Sequence, residues 1–184
     1  MPAPFRPARE LLIQYARHHR DRRNIATHLV GIPMIVFAIV LGLATVWIPA
    51  GELTLTLAAI LSVAACIYYF RLDFVFGVVM AATLFVMCAG ASEVIHRLGG
   101  GAALGLAAVI FVAGWALQFL GHKWEGMKPA FYDDAKQLLI GPLFVWAEVL
   151  FLLGALPALR RYIEDRVGPT VARRDGRPLP LTEG

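Results

Sequence analysis

Four apolar runs, each about long enough to cross a lipid bilayer, constrain this chain more than any other feature. They are Ile25–Trp47, Leu53–Tyr69, Phe74–Ile95 and Ala102–Leu120. A membrane helix needs roughly 17–25 predominantly apolar residues. In hydrocarbon each backbone polar group must find its partner inside the segment, so such runs become helices. The chain is 59% hydrophobic and 16% charged over 184 residues, too apolar for a soluble domain of this length. The expected fold is all-α, an integral membrane helical bundle. One membrane domain covers residues 1–157, and a polar cytoplasmic tail, expected to be loose, covers 158–184. The first 23 residues carry six Arg and no apolar core, so no cleavable signal peptide is expected. Cys66 and Cys88 fall inside apolar runs and are expected to pack as small hydrophobes without a disulfide.

The flanks set the orientation. Met1–Pro7, with three Pro, reads as disordered. Ala8–His19 (ARELLIQYARHH) reads as an N-terminal interfacial helix with Leu11, Leu12 and Tyr15 on one face. Asp21–Arg23 is a charged break, and Pro33 should kink the first span. The fourth span is rich in small residues, among them Ala103, Gly105 and Ala107, which would let helices approach closely. Leu138–Leu156 is apolar but interrupted by Gly141-Pro142, and it contains Glu148. Six Arg precede the first span, six follow Pro157, and Lys123, Lys128 and Lys136 follow the fourth span. The Pro49–Glu52 turn has no cation, and the His96–Gly101 turn has only Arg97. Positive flanks stay cytoplasmic. Both termini are therefore expected in the cytoplasm, with four crossings, and 138–156 as a re-entrant or interfacial helix. The net charge of +4 is then a topology signal and does not argue for nucleic acid.

Two polar stretches fall at one membrane face in this topology. His19–Pro33 (HRDRRNIATHLVGIP) enters the first span, and Gln118–Ala130 (QFLGHKWEGMKPA) leaves the fourth. Asn24 and His28 are four residues apart, as are Gln118 and His122; His122 and Glu125 are three apart. Each set lies on one helix face if its helix continues through it. Polar groups at membrane depth are costly and mark function. Neutral imidazole suits Fe, Zn, Cu or Ni, with amides and carboxylates orienting the rings. His18 is either a fourth ligand or a solvated residue, and His96 falls on the opposite side. Without a metal, the same residues would bind lipid headgroups or a partner in a non-catalytic membrane protein. A zinc-dependent membrane hydrolase is a third reading, although no His-Glu-x-x-His occurs. There is no Gly-rich phosphate loop, and Ser62 and Ser92 have no evident base. Five His are too few for the clustered boxes of membrane di-iron desaturases.

The pattern resembles the family of small membrane 2-hydroxy fatty acid dioxygenases, of the yeast kind that act in fatty acid α-oxidation. The matching residues are Tyr15-x-x-x-His19, then Asn24-x-x-x-His28-x-x-Gly31-x-Pro33. In the second half they are Gln118-x-x-Gly121-His122-x-x-Glu125-x-x-x-Pro129-Ala130. The resemblance continues through the apolar segment Leu138–Leu153 and covers roughly residues 10–157. It departs at Arg22-Arg23, where the family often has Pro beside the Asn. It implies Fe(II) held by His19, His28 and His122. It implies a 2-hydroxy fatty acid and dioxygen as substrates, and a fatty acid one carbon shorter as product. Asn24, Gln118 and Glu125 would support the ligands, or one of them would be a weak ligand; Glu125 is a candidate catalytic carboxylate, and Asn24 and Gln118 are candidate cofactor-binding residues. Tyr15 is expected to be an interfacial anchor or a gate. Lys123 and Lys128 are topology signals or carboxylate receptors. The short, Ala- and Arg-rich chain reads as bacterial, which would put it in the inner (cytoplasmic) membrane among membrane lipids.

Overall fold

A computed structural model describes residues 7–51, 53–129 and 137–172. The expected disorder of Met1–Pro7 therefore falls almost wholly outside the described residues. So do Glu52, Ala130, Lys136 and the tail from residue 173. The elements run α1 (Ala8–Arg17), α2 (Arg22–Ala44), β1 (Trp47–Ala50), β2 (Leu53–Thr56), α3 (Leu57–Leu72), α4 (Phe74–Leu98), α5 (Gly100–Glu125), α6 (Gln137–Leu152) and α7 (Pro157–Val167). The fold is an all-α helical bundle of the membrane type, with one short hairpin. Among the described residues, three helices, α2, α4 and α5, are long and apolar enough to cross a membrane, and the bent pair α6–α7 would make a fourth if it counted as one span.

The chain divides into two compact units. The first is built from Ile32–Trp115, and the second from Arg9–Gly31 with Ala116–Gly184. α2 and α5 each contribute one part to each unit.

In the first unit, the second apolar run does not become helical at Leu53. Leu53–Thr56 instead pairs antiparallel with Trp47–Ala50 around Gly51, whose φ is +66°. Thr56 sets the later start: its extended backbone and its side-chain oxygen, which accepts from Ala59 N at 3.2 Å, make it the N-cap of α3. α3 is left with 16 residues and rises about 24 Å. That is shorter than the roughly 30 Å hydrocarbon core. Asp73 then ends α3 and caps α4, accepting from Phe76 N at 3.1 Å. α4 turns into α5 at Gly99, where φ is +79°.

These helices leave large apolar side chains open, Phe85 at 75% and Val112 at 67% exposure among them. A soluble protein does not present such faces along its helices, and lipid can cover them. Of the small residues of α5, Ala103 and Ala107 are buried, one turn apart. Gly105 has open space about it and makes no close approach. Cys66 and Cys88 are free, with Cys88 Sγ 3.5 Å from Ser62 Oγ.

The close approach in this unit is at Gly77 of α4. A Cβ placed there would run into the Phe70 ring and lie 2.9 Å from Phe70 Cα. Overpacking of this kind costs about 1–3 kcal/mol. Gly77→Ala is expected to lower stability by that amount in a reversible unfolding assay in detergent. Gly105→Ala, in open space, should leave it unchanged.

Candidate metal centre

In the second unit, α1 buries Leu12 and Ala16 completely, and Leu11, Ile13 and Tyr15 nearly so. Its apolar face is covered by protein. α6 runs through Gly141-Pro142 without a break and buries Ile140, Leu143, Phe144 and Ala147. The chain then reverses past Gly154 and Leu156, both with positive φ, and α7 leaves at 114° to α6. Pro157 opens α7 at a position where its missing N–H is harmless. α7 thus occupies the start of the stretch that the sequence suggests is a loose tail.

This unit buries His19, Arg20, Asp21, Asn24, His28, Gln118, His122, Glu125 and Gln137. So many buried polar groups need partners. α5 extends past the apolar run to Glu125, so Gln118, His122 and Glu125 do share one helix. Asn24 and His28 share α2. His19 alone among the three imidazoles stands on non-helical backbone, between the end of α1 and the start of α2.

The three imidazoles meet. His19, His28 and His122 are at most 6% exposed, and each offers a ring nitrogen within 4.8 Å of the others. Ring centroids lie 4.4 Å apart for His19–His28 and 4.9 Å for each pair with His122, with interplanar angles of 71° to 83°. The rings are thus nearly perpendicular to one another.

Hydrogen bonding dictates the tautomers. His19 Nδ1 lies 2.7 Å from the Tyr15 carbonyl, and His28 Nδ1 lies 2.9 Å from the Asn24 carbonyl. A carbonyl only accepts, so both Nδ1 atoms carry the proton and both Nε2 atoms present lone pairs. Those two Nε2 atoms face each other at 3.0 Å. Two bare lone pairs at that distance repel unless a proton or a cation lies between them. Burial and the adjacent imidazoles hold His19 well below the usual imidazole range, which disfavours the proton. Two nitrogens at about 2.1 Å from one ion can be up to about 4.2 Å apart, so 3.0 Å fits. His122 Nδ1 is also buried with no hydrogen-bond partner among the described residues. A donor set of neutral imidazoles, two of them with outward Nδ1–H bonds to carbonyls, suits a first-row transition metal.

The support around the rings is specific. Tyr15 stacks on His19 with centroids 4.2 Å apart and planes 4° from parallel, and Phe144 lies against both rings. Tyr15 is therefore buried ring support, where the sequence suggests an interfacial anchor. Burial pushes its phenol up, so it stays neutral. Glu125 Oε2 accepts from Arg20 N at 3.1 Å, Asp21 N at 2.8 Å and Asn24 Nδ2 at 3.1 Å. Its carboxylate thus binds the turn that carries His19, and it is not one of the clustered ligand groups. Asn24 Nδ2 also donates to the His18 carbonyl at 3.2 Å, and Asn24 Oδ1 has no partner among the described residues. Gln118 is buried, and its Nε2 likewise finds no partner there.

Other candidates lie elsewhere. His18 is half-buried, outside the imidazole cluster, with Nδ1 3.1 Å from the Lys128 carbonyl. His96 is exposed near the end of α4. Lys123 and Lys128 are exposed.

Sequence reasoning misses several residues here. Asp21 is the cap of α2, accepting from Arg23 N at 2.8 Å, rather than a mere charged break. An Asp immediately before a helical run is a recognisable start signal. Phe144, Arg20 and Gln137 carry no such local signal.

Gly121 is the tight point between α5 and α2. A Cβ there would collide with Thr27 Oγ1 and Asn24 Oδ1 and lie 3.3 Å from Asn24 Cα. Gly121→Ala is expected to cost about 1–3 kcal/mol. Glu125→Gln weakens three buried bonds to one charged oxygen and should cost about 2 kcal/mol. Chemical unfolding of the two variants in detergent checks both values; wild-type stability in Glu125→Gln would contradict the role given to the carboxylate.

A family model described as "2-hydroxy-palmitic acid dioxygenase Mpo1-like" matches residues 5–153. A similar curated protein is the 2-hydroxy-palmitic acid dioxygenase MPO1 of Saccharomyces cerevisiae. It is 32% identical over 154 residues, covering 82% of this chain and 83% of the yeast protein. No solved structure matches.

Proposed function

This chain belongs to the Mpo1-like family, and from that premise we propose that it is an Fe(II)-dependent dioxygenase of 2-hydroxy fatty acids. The product is the fatty acid one carbon shorter, as in α-oxidation. The observation that carries the reading is the buried cluster of His19, His28 and His122, in which the Nε2 atoms of His19 and His28 face each other at 3.0 Å.

His19, His28 and His122 hold the metal. Iron(II) there would supply the electrons that activate dioxygen toward the bond between the carboxyl carbon and its neighbour. The backbone carbonyls of Tyr15 and Asn24 keep the Nδ1 protons of His19 and His28, so neither ring turns its lone pair away. Tyr15 and Phe144 exclude water from one side of His19. Gln118, with a buried amide donor unmatched among the described residues, holds the carboxylate or hydroxyl of the substrate head. Asn24 and Glu125 keep the turn before α2 in register. The alkyl tail lies in lipid-facing apolar surface. Both termini are in the cytoplasm, and the membrane is a bacterial inner membrane.

Headgroup binding without a metal is less apt, because the three imidazoles are buried. Zinc would suit the same donors, so the metal itself has to be measured.

Purified protein should contain about one iron per chain and lose it in His28→Ala and His122→Ala. With Fe(II) and air it should convert 2-hydroxypalmitate to a product one carbon shorter. Iron retained in both variants would sink the ligand assignment, and zinc with oxygen-independent turnover would replace the reaction. Gln118→Ala should keep iron but raise KM for the hydroxy acid about tenfold or more, as expected for one lost hydrogen bond to a charged group.

A further inference from the structure

His28 and His122 are held by helices, but His19 is carried by a turn, and a turn needs outside support to present a ring in one orientation. Part of that support comes from beyond residue 153, where the family match ends. Gly168 closes α7, and its carbonyl accepts from Arg20 Nη1 at 2.7 Å. Val171 forms a parallel bridge with Asp21. Val171 N donates to the Arg20 carbonyl at 2.8 Å, and Arg22 N donates to the Val171 carbonyl at 3.0 Å. Arg20 Nε donates to the His19 carbonyl at 2.9 Å. The guanidinium therefore ties the His19 peptide to the end of α7.

Arg20 is 3% exposed, and its side-chain bonds run to two backbone carbonyls. The charges of Glu148, Glu125 and Glu164 favour the charged form of this buried guanidinium. Its planar fork spans two acceptors at once, which a lysine ammonium on a flexible stem does not reproduce. On the opposite edge, Glu125 Oε2 takes the N–H groups of Arg20 and Asp21. The peptide run from His19 to Arg22 is thus bonded on both edges, by α5 on one and by the Gly168–Val171 segment on the other.

We propose that Arg20 and the Gly168–Val171 strap are positioning elements for His19, fixing the backbone from which its imidazole reaches the metal. This rests on His19 being a ligand. The strap acts through the turn and touches neither metal nor substrate. Residues after the last apolar helix thereby set the affinity of a site built at the ends of the first and fourth apolar runs.

The test uses full-length protein with Co(II), whose visible spectrum reports the number and kind of ligands. Arg20→Lys removes the fork. Val171→Pro removes one backbone donor outside the helices, where it should not prevent folding if Arg20→Lys does. Each should weaken Co(II) binding about tenfold or more, the loss typical of groups that orient a ligand. Each should also change the cobalt spectrum and speed amide hydrogen exchange at Asp21–Asn24 in the metal-free protein, with helical content retained. The combined variant should be little weaker than either alone, because both cut one network. Arg166→Ala, which disturbs an exposed contact with Tyr162 on α7, should match wild type. Wild-type affinity, spectrum and exchange in both single variants would overturn the proposal. If wild type takes up no Co(II), the metal reading falls, and exchange alone judges the strap: unchanged rates reject it, and faster rates keep it.

Discussion

One carboxylate oxygen joins the two segments that carry the imidazoles. Glu125 Oε2, at the end of α5, accepts from two backbone amides ahead of α2 and from the Asn24 side chain within it. Those donors lie more than a hundred residues away along the chain. In a buried setting, an acceptor that meets several donors is strong, and a donor left without it is costly. The bond therefore sets the register of α5 against α2, and with it the distance between His122 and His28. Gly121 makes the approach possible, since any larger residue would meet Asn24 and Thr27.

Around that junction, each polar group limits its neighbour. Asn24 gives its amide to Glu125 and its backbone carbonyl to His28 Nδ1, so one residue serves the turn and the ring together. Tyr15 gives its carbonyl to His19 Nδ1 and its ring face to the same imidazole. The two rings are then left with lone pairs directed at each other. This arrangement is poor as an isolated protein interior and good as a receptor for a cation, a conflict expected at functional sites. The membrane context sharpens it, because an unmatched polar group in an apolar setting has no water to turn to.

The all-α character, the apolar runs and the membership of each polar set were legible from local pattern. Gln118, His122 and Glu125 share a face because α5 continues through them. The second apolar run shows where pattern fails. Leu53–Thr56 is apolar enough to extend a helix, but Thr56 is better satisfied as a cap, and the hairpin with Trp47–Ala50 absorbs the rest. Tyr15 misleads for a similar reason: an aromatic beside basic residues fits a membrane interface, and only packing against His19 and Phe144 shows otherwise.

By itself, then, the sequence determined that the chain is a helical membrane protein with imidazoles, amides and a carboxylate at the ends of two apolar runs. Periodicity and span length are local properties, and they survive without knowledge of what packs where. Only the tertiary structure decided that Glu125 holds a turn, that Arg20 reaches the end of α7, and which nitrogens of His19 and His28 are bare. Those outcomes depend on partners distant in sequence, and a hydrogen bond is assigned by where its acceptor lies, which no local pattern encodes.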